Sequence, residues 1–90
     1  MAAIKKDPDA TLDYTVDWSD WLAPLADVIV SVEWVPSAGI TVESFSNTSA
    51  TATAFVSGGV VDADEFVTCR ITTAAGRIDD RTINFSITQR

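Results

Sequence analysis

The chain is predicted to fold as an all-β protein, an antiparallel β-sandwich of about six to seven short strands. Three observations predict it. First, residues 65–89 (EFVTCRITTAAGRIDDRTINFSITQ) read as two alternating strands joined by a turn at Ala74-Ala75-Gly76. Val67, Cys69 and Ile71 share one face of the first strand, and Ile83, Phe85 and Ile87 one face of the second. The opposite faces carry Thr68, Arg70 and Thr72, then Thr82, Asn84, Ser86 and Thr88, the pattern of strands with one face on a core and the other in water. Second, further alternating segments recur at turn spacings of roughly 8–12 residues. Third, no segment sustains a helical period beyond one turn.

Taken in order, residues 1–10 are polar, and Pro8 between Asp7 and Asp9 forbids helix, so they are expected to form an extended arm leading into a single domain over residues 11–90. Such an arm is either a frayed terminus or a strap onto a neighbour. Leu12 to Asp17 alternates, with Leu12, Tyr14 and Val16 on one side. Trp18 and Trp21 stand three apart, one helical turn, with Asp17 placed to cap it and Pro24 to stop it. They are expected to plug one end of the core, the alternative being an exposed platform that stacks on a sugar or a partner. Asp27 to Val35 is the central strand, with Val28, Val30, Val32 and Trp34 on one face and Ile29, Ser31, Glu33 and Val35 on the other.

Pro36-Ser37-Ala38-Gly39 has turn composition. A shorter strand follows over Ile40 to Phe45, with Ile40, Val42 and Ser44 on one face, and Ser46 to Ser49 is expected to be a loop. In residues 50–57 (ATATAFVS) the threonines favour strand, and Ala50, Ala52, Ala54 and Val56 make a thin inner face that lets another layer approach closely. Gly58-Gly59 breaks that strand, as a turn or bulge.

Ninety residues allow one modest core, burying roughly 60–65% of the surface that the unfolded chain exposes. With 13 acidic and 6 basic residues the net charge is −7, which argues against binding nucleic acid or anionic membrane. Acids load the first third, and Arg70, Arg77, Arg81 and Arg90 lie in or beside the final hairpin. This separation reads as solvated surface charge with pairing inside the chain, or as acidic and basic ends of neighbouring copies meeting. One cysteine, Cys69, excludes an intramolecular disulfide. No signal peptide and no apolar run of about 20 residues is present, so synthesis and folding in a cytosol are expected.

The inventory for chemistry is poor. Without histidine there is no Ser-His-Asp or Cys-His arrangement and no His-ligated metal site. Cys69 lies on an inward face, where a free cysteine behaves as a small hydrophobe. Asp7-Pro8-Asp9 and Asp62-Ala63-Asp64-Glu65 lack the glycine and closing glutamate of a calcium loop and read as solvated turn acids. Gly58-Gly59 lacks the strand-glycine-helix context of a phosphate loop. The expectation is no enzyme and no cofactor.

The wording of the chain is more specific. DPDATLDYTVDWSDWL, then VEWVPSAGIT, then FVSGG, then VTCRITTAAGRIDDRTINFSI resembles a family of small virion proteins of tailed bacteriophages. The family pattern runs K-DPD-x-x-LDY-x-x-DW-x-x-WL, a strand with a Trp, SGG, and a strand like VTNRITTxxGRxxDRS. The resemblance spans Lys6 to about Ile87 and is sharpest in DWSDWL and RITTAAGR. Cys69 departs from it where Asn is expected, and Phe66 stands where sandwich domains often carry a corner tyrosine.

Members of that family are described as fiber–tail adaptor proteins with an immunoglobulin-like sandwich. The resemblance implies a structural virion protein, present in many copies on the tail or neck, that joins fibers to it through contacts with other virion proteins. The alternative is an Ig-like module that decorates a capsid or binds glycan. The surfaces expected to serve as interfaces are Lys5, Lys6, Asp7, Pro8 and Asp9 of the arm, the Trp18 and Trp21 turn, and Arg77 and Arg81 of the final hairpin.

Overall fold

The computed structural model describes residues 4–88, in which seven strands build two packed sheets. The strands are β1 (Ile4–Lys6), β2 (Leu12–Asp17), β3 (Ile29–Pro36), β4 (Ile40–Asn47), β5 (Thr51–Gly58), β6 (Asp64–Thr73) and β7 (Ile78–Ile87). One sheet has the order β1-β7-β6-β3 and the other β2-β5-β4. Every pairing is antiparallel except β1 with β7, which is parallel. Strands β2 to β7 thus divide as in an immunoglobulin sandwich, with β3, β6 and β7 in the places of C, F and G, and Trp34 is the buried tryptophan of the C position.

Alternation placed the inner faces of β5, β6 and β7 correctly, and that of β2 at Tyr14 and Val16, while Leu12, expected beside them, is exposed. Val16, Ala52, Ala54, Val56, Val67, Cys69, Ile71, Phe85 and Ile87 all enter one buried cluster, with Tyr14 and Ile83 packed against it. The small alanines of β5 leave volume for the two indoles of Trp18 and Trp34 in the same cluster, the large-against-small arrangement that fills a core without voids. On the outer face of the final hairpin the Thr68 and Thr82 hydroxyls lie 3.0 Å apart, and Arg70 reaches Asp80 through Nε at 2.8 Å and Nη2 at 3.1 Å.

The central strand does not alternate throughout. In β3 the register against β6 passes from Ile29–Thr73 directly to Ser31–Thr72, so Val30 is the extra residue of a β-bulge. The bulge turns Ile29 inward, 7% exposed, and throws Val30 out, 63% exposed. The face expected to run Val28, Val30, Val32, Trp34 is therefore Ile29, Val32, Trp34, with Val28 exposed as well. A second bulge, at Glu43 in β4, has the same effect on Ser44, which is exposed although expected beside Ile40 and Val42. β4 also runs on to Asn47, two residues beyond the expected end, so part of the Ser46 to Ser49 loop is strand.

The turn after β2 is a short helix, α1 (Ser19–Leu22), followed by a 3-10 turn over Ala23–Leu25. Pro24 does not stop the chain's coiling, because it falls in the first turn of the new segment, where a missing N–H costs nothing. Ala26, left-handed at φ 49°, ends it. At the opposite end of the sandwich, Gly59 has φ 115° and donates its N–H to the Gly39 carbonyl at 2.8 Å. A Cβ on Gly59 would lie 2.5 Å from Ile87 Cδ1, so both dihedral and space require glycine there. Gly39 packs as closely on the buried Glu65 side chain, which accepts bonds from the Ser37 hydroxyl at 2.6 Å and the Val60 N–H at 3.2 Å.

The bulge in β3 makes a direct prediction. Ile29→Ala is expected to lower unfolding free energy by about 2–4 kcal/mol, and Val30→Ala, one residue on, by less than about 0.5 kcal/mol. Urea unfolding of the two variants checks the contrast; unbulged alternation would reverse their order.

Candidate functional site

Four of the expected interface residues meet at one end of the sandwich. Trp18 follows β2, and its backbone N–H donates to the Ala50 carbonyl at 2.9 Å, which holds the indole inside the core at 0% exposed. Trp21, one helical turn on, is half-buried and meets Trp18 edge to face, with ring centroids 5.4 Å apart at 66°. From the final hairpin, the Arg77 guanidinium lies 4.0 Å from the Trp21 ring centroid, and that of Arg81 lies 4.3 Å from Trp18. Each such stack contributes about 0.5–2 kcal/mol. Arg81 Nη1 also donates to the Asp17 carbonyl at 2.9 Å. The exposed stacking platform is thereby corrected, since one indole is wholly buried and the other crosses it on edge.

Asp17 does not cap this turn as expected, because Trp18 holds the N-cap position and no side chain caps it; from one residue further out Asp17 Oδ1 accepts the Ser19 N–H at 2.9 Å, and Ser19's side chain and N–H hold its carboxyl below the usual range. The residue that sequence reasoning missed is Asp27, counted only among the acids of the first third. Its side chain is 2% exposed. Oδ1 accepts the N–H groups of Val28 at 3.0 Å and Ala75 at 3.1 Å, and Oδ2 accepts Arg77 Nε at 3.0 Å. Bonding to Thr73, Ala75, Arg77 and Val28, that with the Thr73 side chain foremost, lowers its carboxyl to about 2 despite desolvation. Asp27 therefore fixes the 74–77 turn and aims Arg77 at Trp21. The ion pairs among described residues are Arg77–Asp27 and Arg70 with Asp80 and Glu33.

The arm residues lie at the other end. β7 carries Arg77's neighbour Ile78 at its start and Ile87 at its finish, a span of about 30 Å for ten extended residues. The arm expected over residues 1–10 is corrected across its described part; Met1 to Ala3 lie outside the described residues. Ile4, Lys5 and Lys6 are β1, paired with Phe85, Ser86 and Ile87. Lys5 is exposed there. Lys6 is 0% exposed and its ammonium donates to three carbonyls, those of Asp7 at 3.0 Å, Ala10 at 2.8 Å and Gly58 at 2.7 Å. Desolvation lowers its pKa, with Asp7 and Asp9 acting the other way.

Residues 7–10 form a turn closed by the Ala10 N–H to the Asp7 carbonyl at 3.1 Å, while Asp7 Oδ1 accepts the Asp9 N–H at 2.8 Å. Pro8 in second position pre-sets that turn, and Asp9 is exposed on it. The Lys-Asp-Pro-Asp run is thus a self-contained clamp that pins β1 to the end of β5. Of the expected arm contacts, Lys5 and Asp9 face outward and Lys6 does not.

An apolar cleft of about 300 Å³ opens between β7 and β2 along one side, lined by Ile4, Tyr14, Val16 and Ile83, with Asp17 and Arg81 also lining it. Tyr14 packs edge to face on Phe85 at 5.0 Å, and burial, with Asp13 beside it, pushes its phenol pKa up. Burial pushes the Cys69 thiol up, away from a reactive thiolate, and no group of acids or cysteine among the described residues is placed to hold a metal ion. The arrangement presents surfaces, at two ends and one side.

Two measurements check these contacts. Because the folded Asp27 carboxyl sits below its unfolded value of 3.8, its stabilisation is full above about pH 4 and is lost as pH falls through about 2. An NMR titration is expected to find its midpoint near about 2, and Asp27→Asn to abolish that acid transition in tryptophan fluorescence. Lys6→Met, which leaves buried carbonyls unpaired, is expected to cost about 1–3 kcal/mol in urea unfolding.

Residues 6–86 of the chain match the family described as podophage GP4 fiber-tail adaptor protein gp77. No curated protein matches the chain.

Proposed function

The chain belongs to the podophage GP4 fiber-tail adaptor family, and from that membership we propose that it joins tail fibers to the tail or neck of a bacteriophage virion by protein–protein contacts, in many copies per particle. The observation that carries the reading is the match itself, which runs from Lys6 to Ser86 and so takes in the buried lysine clamp, both sheets and the Trp–Arg cluster. The geometry supports it in one further respect. An adaptor needs two separate contact surfaces on a rigid spacer, and β7 carries one candidate group at each of its ends. Arg77, Arg81 and the half-buried Trp21 form one, of the residue types that dominate binding energy at interfaces. Lys5 and the Asp7–Asp9 turn form the other. Capsid decoration and glycan binding have no such support, with Trp18 inside the core.

Light scattering of the purified protein, mixed with the tail and fiber proteins of the same phage, tests the reading. A complex containing all three chains is expected. Arg77→Ala/Arg81→Ala is expected to weaken one of the two contacts by about tenfold or more while the other persists. Unchanged affinities would remove the Trp–Arg end from the interface, and failure to bind either protein would overturn the adaptor role.

A further inference from the structure

The edge of β7 is only partly used. β6 pairs with it along its length, from Ile78 to Ser86, with no bulge. On the other side β1 pairs with Phe85, Ser86 and Ile87 alone, so among the described residues Ile78 to Asn84 present an open edge. Native edges are commonly blunted by proline, charged side chains or a bulge; this stretch has neither proline nor bulge, and its charges are Asp79, whose Oδ1 takes the Asp80 N–H at 2.9 Å, Asp80, paired with Arg70, and Arg81, turned onto Trp18. Beside it lies the apolar cleft between β7 and β2, and the Tyr14 hydroxyl in its wall has no hydrogen-bond partner. β1 already shows how the edge is used, since it docks on the same rail parallel to β7, with Ile4 opposite Phe85.

We propose that the β7 edge from Ile78 to Asn84 takes up an extended strand of the tail or fiber partner, whose alternate side chains are apolar and fill the cleft and whose flanks carry Lys or Arg. This rests on the adaptor reading and names the chemistry of one of its contacts. The extended form follows from the backbone of the stretch, which apart from the Asp80 N–H, held by Asp79 Oδ1, has no strand beside it among the described residues and offers a strand a ladder of hydrogen bonds. The apolar alternation follows from the cleft, because every second side chain of an added strand points to the face on which Ile83 and Tyr14 lie. The basic flanks follow from charge. Asp17 lines the cleft, Asp13 stands beside its Tyr14 on β2 and Asp79 on the open stretch of β7, while Arg81, the one cation of the lining, already stacks on Trp18 and bonds the Asp17 carbonyl. The whole chain is at −7, so a cationic segment is drawn to this side and an anionic one repelled.

Amide hydrogen exchange of the purified protein, alone and mixed with the tail and fiber proteins, tests this. Amides within Ile78 to Asn84 are expected to slow by about tenfold or more in the complex. Asp13→Lys/Asp79→Lys is expected to weaken that complex by about tenfold, and Ser46→Lys, on the far edge strand, to leave it unchanged. A complex that forms with exchange over Ile78 to Asn84 unaltered overturns the proposal and leaves the adaptor role standing. Protection that arises in the protein alone as its concentration rises assigns the edge to a second copy and also overturns it. Failure to bind either protein removes the adaptor role and this contact together.

Discussion

The buried carboxylate of Asp27 is the contact on which the tryptophan end of this domain depends. It stands just before β3, yet its partners Ala75 and Arg77 come from a turn 48 and 50 residues later. By accepting their donors it closes the end of the final hairpin against the start of the central strand. It also sets the position of Arg77, and through Arg77 that of Trp21. Trp21 in turn meets Trp18, the largest fully buried side chain, edge to face, and the Arg81 guanidinium lies over the Trp18 ring. One carboxylate thus positions the first member of a cluster of two guanidinium groups and two indoles. The short helix supplies both indoles and, with too few residues to be stable alone, is held by that cluster.

Lys6 performs the corresponding task at the other end. A buried ammonium is costly unless all three of its protons are bonded, and three backbone carbonyls meet that condition. Those carbonyls belong to the turn that follows β1 and to the last residue of β5, so the lysine joins an edge strand of one sheet to the end of the other. The sandwich is pinned at both ends by polar groups inside it, and packing of small alanines against large indoles fills the space between. The ten residues of β7 run between these two ends.

Much of this was legible in the sequence, and the rest was hidden for physical reasons. Period-two alternation sufficed for β5, β6 and β7 because each has one face on the core and one in water. It failed at Val30 and Glu43 because a bulge inserts a single residue, and in a run such as Val28-Ile29-Val30-Ser31-Val32 either parity satisfies the local pattern. The two tryptophans three apart were correctly read as a plug for the core. Their arginine partners were named separately, and only the fold brings them together. Lys6 was read as surface because lysine usually is, and the carbonyls that bury it include one 52 residues away. Asp27 looked like any other acid in an acidic segment for the same reason. The side cleft left no sequence signal, since its lining comes from β1, β2 and β7 and only the fold brings these together.

The central claim is that this small sandwich stands between tail and fiber and touches both. A cryo-electron microscopy reconstruction of the intact virion tests it most directly. The account predicts density for the two sheets at the fiber attachment point, with the Trp–Arg end and the lysine-clamp end against different proteins. The same density seated on the capsid shell, or with both ends turned to solvent, would contradict it.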